Sequence, residues 1–187
     1  FVKEAQASYI SHLDLLRTFQ RAFPRTELDI KHSQGYHPHP IISIVLPLPV
    51  GQSSDCELLD FETVEETDGA GIAEKLNTGL PAGLRVRECY PVTRPVREFT
   101  SLRARLELLY DNGVPAGTAD ALRALFARET LMIEKRTKHK ELAQIDIAPL
   151  IREMTLTEQD GSNLADAVVA AQNPGLNPAY LAQAIER

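Results

Sequence analysis

Residues 11–23 read SHLDLLRTFQRAF and carry the clearest signal of the fold. Ser11 is a favourable helix N-cap, and Asp14 three positions later makes a variant of the capping box. One buried face at helical spacing is predicted from five apolar residues: Leu15, Leu16, Phe19, Ala22 and Phe23. We therefore predict a helix that begins at His12 and ends near Pro24, which cannot continue it.

The apolar pattern on either side of this helix predicts a repeated order of elements. Strands are predicted at Phe1–Ile10, Ile41–Val50, Glu57–Val64 and Leu84–Val92, with a short start at Asp29–Lys31 and a second helix at Asp68–Gly79. The second half is predicted to contain strands at Leu102–Tyr110, Leu131–Arg136 and Ile145–Thr157 and helices at Thr118–Arg128 and Asn177–Glu186, with a turn at Lys138-His139-Lys140; Leu164–Ala171 fits a strand or a helix. The order βαββαβ predicts an α+β fold of tandem ferredoxin-like halves with antiparallel sheets, the second half irregular. The halves are residues 1–92 and 102–187, joined by a linker at 93–101.

Composition favours a globular cytoplasmic protein. The chain has 187 residues, 43% hydrophobic, and no apolar run approaches the roughly 20 residues that cross a bilayer. We therefore expect no leader and no membrane partner. Cys56 and Cys89 stand apart, which argues against a disulfide scaffold or a metal knuckle. The net charge of −6 disfavours a nucleic-acid binder that uses its whole surface, but basic residues cluster locally.

The start of the first helix is one candidate binding site. Its candidate residues are Ser11, His12, Asp14, Arg17 and Arg21. Arg17 and Arg21 lie one turn apart, where like charges are slightly unfavourable unless Asp14 or an external anion neutralises them. A phosphate or carboxylate would suit this pair. The alternative is a capped helix start with an idle surface charge pattern.

A polar segment about twenty residues later is the second candidate site. It comprises Ser33, Gln34, Gly35, Tyr36, His37, Pro38, His39 and Pro40, preceded by His32. Tyr36 offers a stacking face, and the neighbouring polar side chains offer hydrogen bonds, which favours a rigid substrate-contacting loop. His37 and His39 would share one side of an extended segment, but a metal site usually needs a third ligand, so we expect no metal. A connector held by a few capping contacts remains an alternative.

Both segments carry a resemblance to a known family. Tyr9–Arg17, Ser33–Pro40 and Leu46–Gly51 resemble the radical SAM-linked protein family, a domain of unknown function fused to or encoded beside a radical S-adenosylmethionine enzyme. The resemblance implies a radical S-adenosylmethionine enzyme as partner. Two distant cysteines cannot hold the cluster of such an enzyme, so the chain resembles an accessory unit without a cofactor of its own.

Two functional hypotheses follow. The first is a non-catalytic accessory module that binds an anionic substrate, with RNA or a ribosome-related substrate favoured. The second is a ferredoxin-like ribonuclease or other hydrolase that uses His12, His37 or His39 as general acid and base. For the first hypothesis we also expect the two candidate sites to converge on one rim, where the helix N-terminus would add its dipole.

Overall fold

A computed structural model describes residues 1–136 and 141–186, without the side chain of Arg136. The predicted turn at Lys138-His139-Lys140 lies outside the described residues. Contacts divide the chain into two units, Phe1–Val96 and Arg97–Arg187, and each unit has its own apolar core. None of the helices in the described ranges combines the length and the apolarity that a bilayer crossing requires.

The first unit follows the predicted order of elements. It contains β1 (Val2–Lys3), α1 (His12–Ala22), β2 (Ile42–Val45), β3 (Leu58–Phe61), α2 (Ile72–Asn77) and β4 (Leu84–Arg85). β1 pairs with β4 and β2 pairs with β3, both antiparallel. The strands are shorter than predicted. The segment Ala5–Tyr9, predicted as part of the first strand, is a 3-10 helix, and the predicted start at Asp29–Lys31 is one bridge between Ile30 and Thr63.

Helix α1 is confirmed at its start and along its buried face. Leu15, Phe19, Ala22 and Phe23 are buried, and Leu16 is half-buried. The ring of Phe19 lies 4.9 Å from the ring of Phe1, and the ring of Phe23 lies 4.9 Å from that of Phe61. These contacts fix α1 on the strands because burying large aromatic side chains dominates core energetics.

The α+β class is confirmed, but the ferredoxin-like arrangement is not. A ferredoxin-like half joins its four strands in one sheet. In the first unit the four strands instead form two separate ladders, and the chain at Ser54 and Glu57 runs antiparallel to β1 through backbone bonds of 2.7–2.8 Å.

The second unit has the order βαββββα. It contains β5 (Ser101–Leu109), α3 (Thr118–Phe126), β6 (Met132–Arg136), β7 (Leu142–Asp146), β8 (Ile151–Gln159), β9 (Ser162–Ala170) and α4 (Ala179–Ile185). The sheet order is β5-β9-β8, and β6 pairs with β7. The ambiguous segment Leu164–Ala171 is almost entirely in strand β9, because β9 pairs on both sides. The predicted strand Ile145–Thr157 is split by a 3-10 helix at Ala148–Leu150.

Candidate functional site

The first motif, Ser11–Arg17, forms a closed network at the start of α1. The Ser11 hydroxyl donates to Oδ2 of Asp14 at 2.7 Å and accepts the Asp14 backbone N–H at 3.2 Å. Nη1 of Arg17 donates to Oδ1 of Asp14 at 2.9 Å. The hydrogen bonds from Ser11 and then from Arg17 lower the pKa of the Asp14 carboxyl. Helix capping therefore accounts for both Ser11 and Asp14, and Arg17 already has an anionic partner.

Three arginines follow one another at four-residue spacing along α1 and the turn after it, and their contacts differ. Arg17 pairs with Asp14, and Nη1 of Arg25 lies 3.5 Å from the carbonyl oxygen of Gly79. Arg21 is exposed in the last turn of α1, and the described contacts give it no ion pair. Arg21 therefore has no ion-pair partner among the described contacts, and the contact of Arg25 is with a neutral carbonyl oxygen. His12 is exposed at the first position of the helix.

The second motif is a loop that its own ends hold closed. Ser33 donates its backbone N–H to the carbonyl oxygen of His39 at 2.8 Å. The Ser33 hydroxyl lies 2.8 Å from Nδ1 of His39 and accepts the His39 backbone N–H at 3.2 Å. A bridge between His32 and Pro40 continues the pairing outward. We call Ser33–His39 the clamped loop, since main-chain and side-chain bonds both close it.

The tip of the clamped loop projects into solvent. Tyr36 is 95% exposed, and its ring meets the ring of His37 edge-on at 5.0 Å. Gly35 has φ +144°, a conformation that L side chains rarely adopt, and no atom lies within 4 Å of where its Cβ would be. Gln34 and Pro38 are also exposed. The loop therefore presents an aromatic face and an imidazole that the fold itself does not bury.

The histidines of the second motif do not form a ligand set. Nδ1 of His32 lies 2.8 Å from the carbonyl oxygen of Ile30, and Nδ1 of His39 is bonded to Ser33. Within residues 1–136 and 141–186, no three His, Cys, Asp or Glu side chains are grouped to hold a metal ion. Each of these two rings thus has a local hydrogen-bonding partner.

The structure does not bring the two motifs together. The carbonyl oxygen of Ser8, just before the first motif, accepts the N–H of Gly51 at 2.8 Å. At the other end of α1, Phe23 packs on Phe61, and the clamped loop leads into β2, whose first residue pairs with Phe61. An 11-residue helix is about 16 Å long. These contacts tie the two motifs to opposite ends of α1, and none of the described contacts joins one motif to the other.

A shallow depression of about 200 Å³ adjoins the clamped loop. It is lined by His39–Ser43 and Asp60–Glu62 along β2 and β3. Lys31 is linked to this depression by an ion pair with the lining residue Glu62 at 3.4 Å, and both side chains are about half exposed. The surface next to the loop thus mixes apolar groups with charges of both signs, and solvent screens them.

Two buried ionisable side chains, Lys3 and Glu57, are not anticipated from the sequence. Lys3 is 1% exposed and its Nζ donates to the carbonyl oxygen of Ser8 at 3.2 Å. Glu57 is 8% exposed, and its Oε2 has no hydrogen-bond partner among the described atoms. Burial lowers the pKa of Lys3 and raises the pKa of Glu57. The available sequence signal is a charged residue in each of two predicted strands, Lys3 in Phe1–Ile10 and Glu57 at the start of Glu57–Val64. The alternation does not specify on which face of the sheet either side chain lies.

Comparison with known proteins places both motifs inside one family. Residues 1–178 match the family DUF2344, described as an uncharacterized protein conserved in bacteria. No curated protein and no solved structure gives a significant match. Because the match spans most of the sequence, including α1 and the clamped loop, the chain belongs to the DUF2344 family.

Proposed function

We propose that this chain is a non-catalytic accessory module that binds an anionic substrate, with RNA as the favoured class, for a partner radical S-adenosylmethionine enzyme. The observation that carries the proposal is the near-complete exposure of Tyr36 at the tip of the clamped loop. The proposed contact residues at the loop are Ser33, Gln34, Gly35, Tyr36, His37, Pro38, His39 and Pro40.

An exposed aromatic ring on a closed loop suits a nucleobase. Tyr36 contributes little to folding, since its ring touches only the edge of His37 among the ring contacts described. A base stacked on such a ring gains about 1–3 kcal/mol, without regard to base identity. The bonds between Ser33 and His39 order the loop before binding, and preorganisation lowers the entropy cost of binding.

The charge distribution supports local contact with a backbone phosphate. The net charge of −6 makes a broad electrostatic footprint unfavourable. Arg21 is exposed in the last turn of α1, just before Phe23, which packs on Phe61. At the opposite end, Arg17 is neutralised by Asp14. We therefore assign the main phosphate contact to Arg21 and a lesser role to Ser11, His12, Asp14 and Arg17.

The accessory role and the partner rest on the sequence. The resemblance to radical SAM-linked proteins supplies the partner class. The 187 residues contain two cysteines, both free, with Cys56 exposed and Cys89 half-buried. A radical S-adenosylmethionine enzyme uses three cysteines for its cluster, so the radical chemistry is assigned to the partner.

Fluorescence anisotropy with labelled single-stranded oligoribonucleotides tests the binding half of the proposal. Tyr36→Ala is expected to weaken binding by about 5–150-fold, the equivalent of one lost stacked base. Tyr36→Phe keeps the ring and is expected to bind like the unmodified chain. Tyr9→Ala is the matched control, because Tyr9 is also an exposed tyrosine, 74% accessible, but lies before the first motif. Equal affinity of Tyr36→Ala and the unmodified chain would contradict the proposal.

Two further outcomes separate the alternatives. Arg21→Ala is expected to flatten the dependence of RNA affinity on salt, because one phosphate contact is lost. If the unmodified chain cleaves the RNA and produces new ends, and His37→Ala does not, the hydrolase hypothesis would be favoured instead. Purification of the tagged chain from its native cells, followed by identification of bound proteins, tests the partner. If the tagged chain is recovered without any bound radical S-adenosylmethionine enzyme, the proposed partnership is contradicted.

A further inference from the structure

Strand β5 leaves one backbone edge open. It is an edge strand of the β5-β9-β8 sheet, and β9 is its one ladder partner among the described residues. The carbonyl oxygen of Thr100 accepts the N–H of Ala171, so even-numbered residues of β5 direct their backbone groups toward β9. The odd-numbered residues direct theirs away: Ser101, Arg103, Arg105, Glu107 and Leu109. The register runs unbroken for nine residues, without proline or glycine, and such an edge is a template for another strand.

The sequence of this edge is complementary to itself in the antiparallel direction. When two copies of β5 are aligned about a two-fold axis at Arg105, Arg103 of each copy lies opposite Glu107 of the other. Directly opposite residues share a face of the sheet, so these pairs carry opposite charges side by side. On the core-facing side, Leu102 lies opposite Leu108 and Ala104 opposite Leu106. All four of these apolar residues are only half-buried in one chain, and pairing would bury them further.

The central arginine selects this register. Arg105 would face its own copy, but its Nε lies 3.2 Å from Oδ1 of Asp166 and its Nη2 lies 3.4 Å from Oδ2. Asp166 therefore offsets the repulsion between the two arginines. Sliding the strands to place Arg105 opposite Glu107 also forms two Arg–Glu pairs, but it gives Arg105 a second carboxylate and puts Arg103 opposite the apolar Leu109. The aligned register is favoured because it pairs Glu107 with Arg103, which has no ion pair among the described contacts, while Asp166 already serves Arg105.

We propose that the open edge of β5 binds a second copy of this chain, antiparallel about a two-fold axis at Arg105, and joins the two three-stranded sheets into one of six strands. The charge pattern of β5 fits a second copy of the same strand. In an isologous interface, residue i of one copy contacts residue j of the other and residue j contacts residue i, as Arg103 and Glu107 would do here. The odd-numbered residues of both copies would then supply backbone hydrogen bonds across the axis.

Sedimentation velocity on the full chain across a wide range of concentrations tests this interface. The unmodified chain is expected to associate into dimers. Arg103→Glu and Glu107→Arg each place like charges in two pairs and are expected to weaken association roughly tenfold or more. The double variant Arg103→Glu/Glu107→Arg is expected to restore it. Glu153→Arg makes the same change of charge as Glu107→Arg on the same face of β8, and is expected to leave association unchanged.

Disulfide trapping tests the register, in a background with Cys56 and Cys89 replaced by serine. Arg105→Cys is expected to crosslink two chains, because opposed Cα atoms in a hydrogen-bonded pair lie about 5.5 Å apart. Arg103→Cys is expected not to crosslink, since the two copies would be offset by four residues, about 14 Å. A single-chain mass at every concentration would overturn the proposal and would leave the edge for another protein's strand. Two other results would also overturn it: dimer affinity that is unchanged by Arg103→Glu and by Glu107→Arg, or equal crosslinking yields for Arg103→Cys and Arg105→Cys.

Discussion

Removing the Ser33 hydroxyl is the most direct test of whether the clamped loop is preorganised. Ser33→Ala deletes the 2.8 Å contact with Nδ1 of His39 and the 3.2 Å bond from the His39 N–H. The main-chain bond from Ser33 to the His39 carbonyl remains. Because these contacts are exposed, their combined contribution is about 1 kcal/mol, the lower end of the usual range. If that free energy holds the loop in its binding conformation, its loss reduces RNA affinity by up to about fivefold.

Anisotropy with the same oligoribonucleotides measures this effect, and denaturant unfolding gives the stability of each variant. Ser43→Ala is the matched control, because Ser43 is an exposed serine on β2, outside the clamped loop. Ser33→Ala is expected to bind more weakly than Ser43→Ala while Tyr36 keeps its exposed position. If Ser33→Ala and Ser43→Ala bind RNA equally well, the argument from preorganisation is refuted. If Tyr36→Ala also binds poorly in that case, the proposal that a base stacks on Tyr36 still holds.

Three further predictions concern stability. Ser11→Ala removes the N-cap of α1 and should cost about 1 kcal/mol in urea unfolding, with Ser11→Thr as the conservative control; no difference between them would refute the capping role. Burial raises the pKa of Glu57 in the folded chain. Between its ordinary pKa and this raised pKa, the folded state binds more protons than the unfolded state, so the free energy of unfolding falls as pH rises through that window. Glu57→Gln should flatten that fall in thermal melts across pH, and superimposable profiles would contradict it. Phe23→Ala should cost about 3–5 kcal/mol in urea unfolding, whereas Phe99→Ala, on a more exposed ring, should cost far less; equal losses would refute the packing argument.

The sequence predicts best where the determining interactions are local. The start of α1 follows from Ser11 and Asp14, which bond to each other within one turn. The extent of the long strand β5 is also close to its prediction, because nine residues alternate without interruption. The residue types of the clamped loop also predict a distinct polar segment, but they do not specify the bonds between Ser33 and His39.

The short strands show where local patterns fail. Phe1–Ile10 has enough apolar residues for a strand, yet pairing stops after Lys3 and a 3-10 helix follows. Apolar alternation does not show whether another strand is available to pair with the residues after Lys3. Without such a partner a strand is not stable. The ambiguous segment Leu164–Ala171 shows the reverse case, since β9 gains partners on both sides and is extended despite its alanine content.

By itself, the sequence determined the α+β class, the cap of α1, the residues of its buried face and the polar character of the clamped loop. Each of these depends on residues within a few positions of one another, where spacing and side-chain type suffice. Tertiary structure alone decided which strands pair, that Lys3 and Glu57 are buried, and that the two motifs lie at opposite ends of α1. These features depend on contacts between distant residues, such as Phe23 with Phe61, and hydrophobic periodicity specifies which face is buried without specifying what covers it.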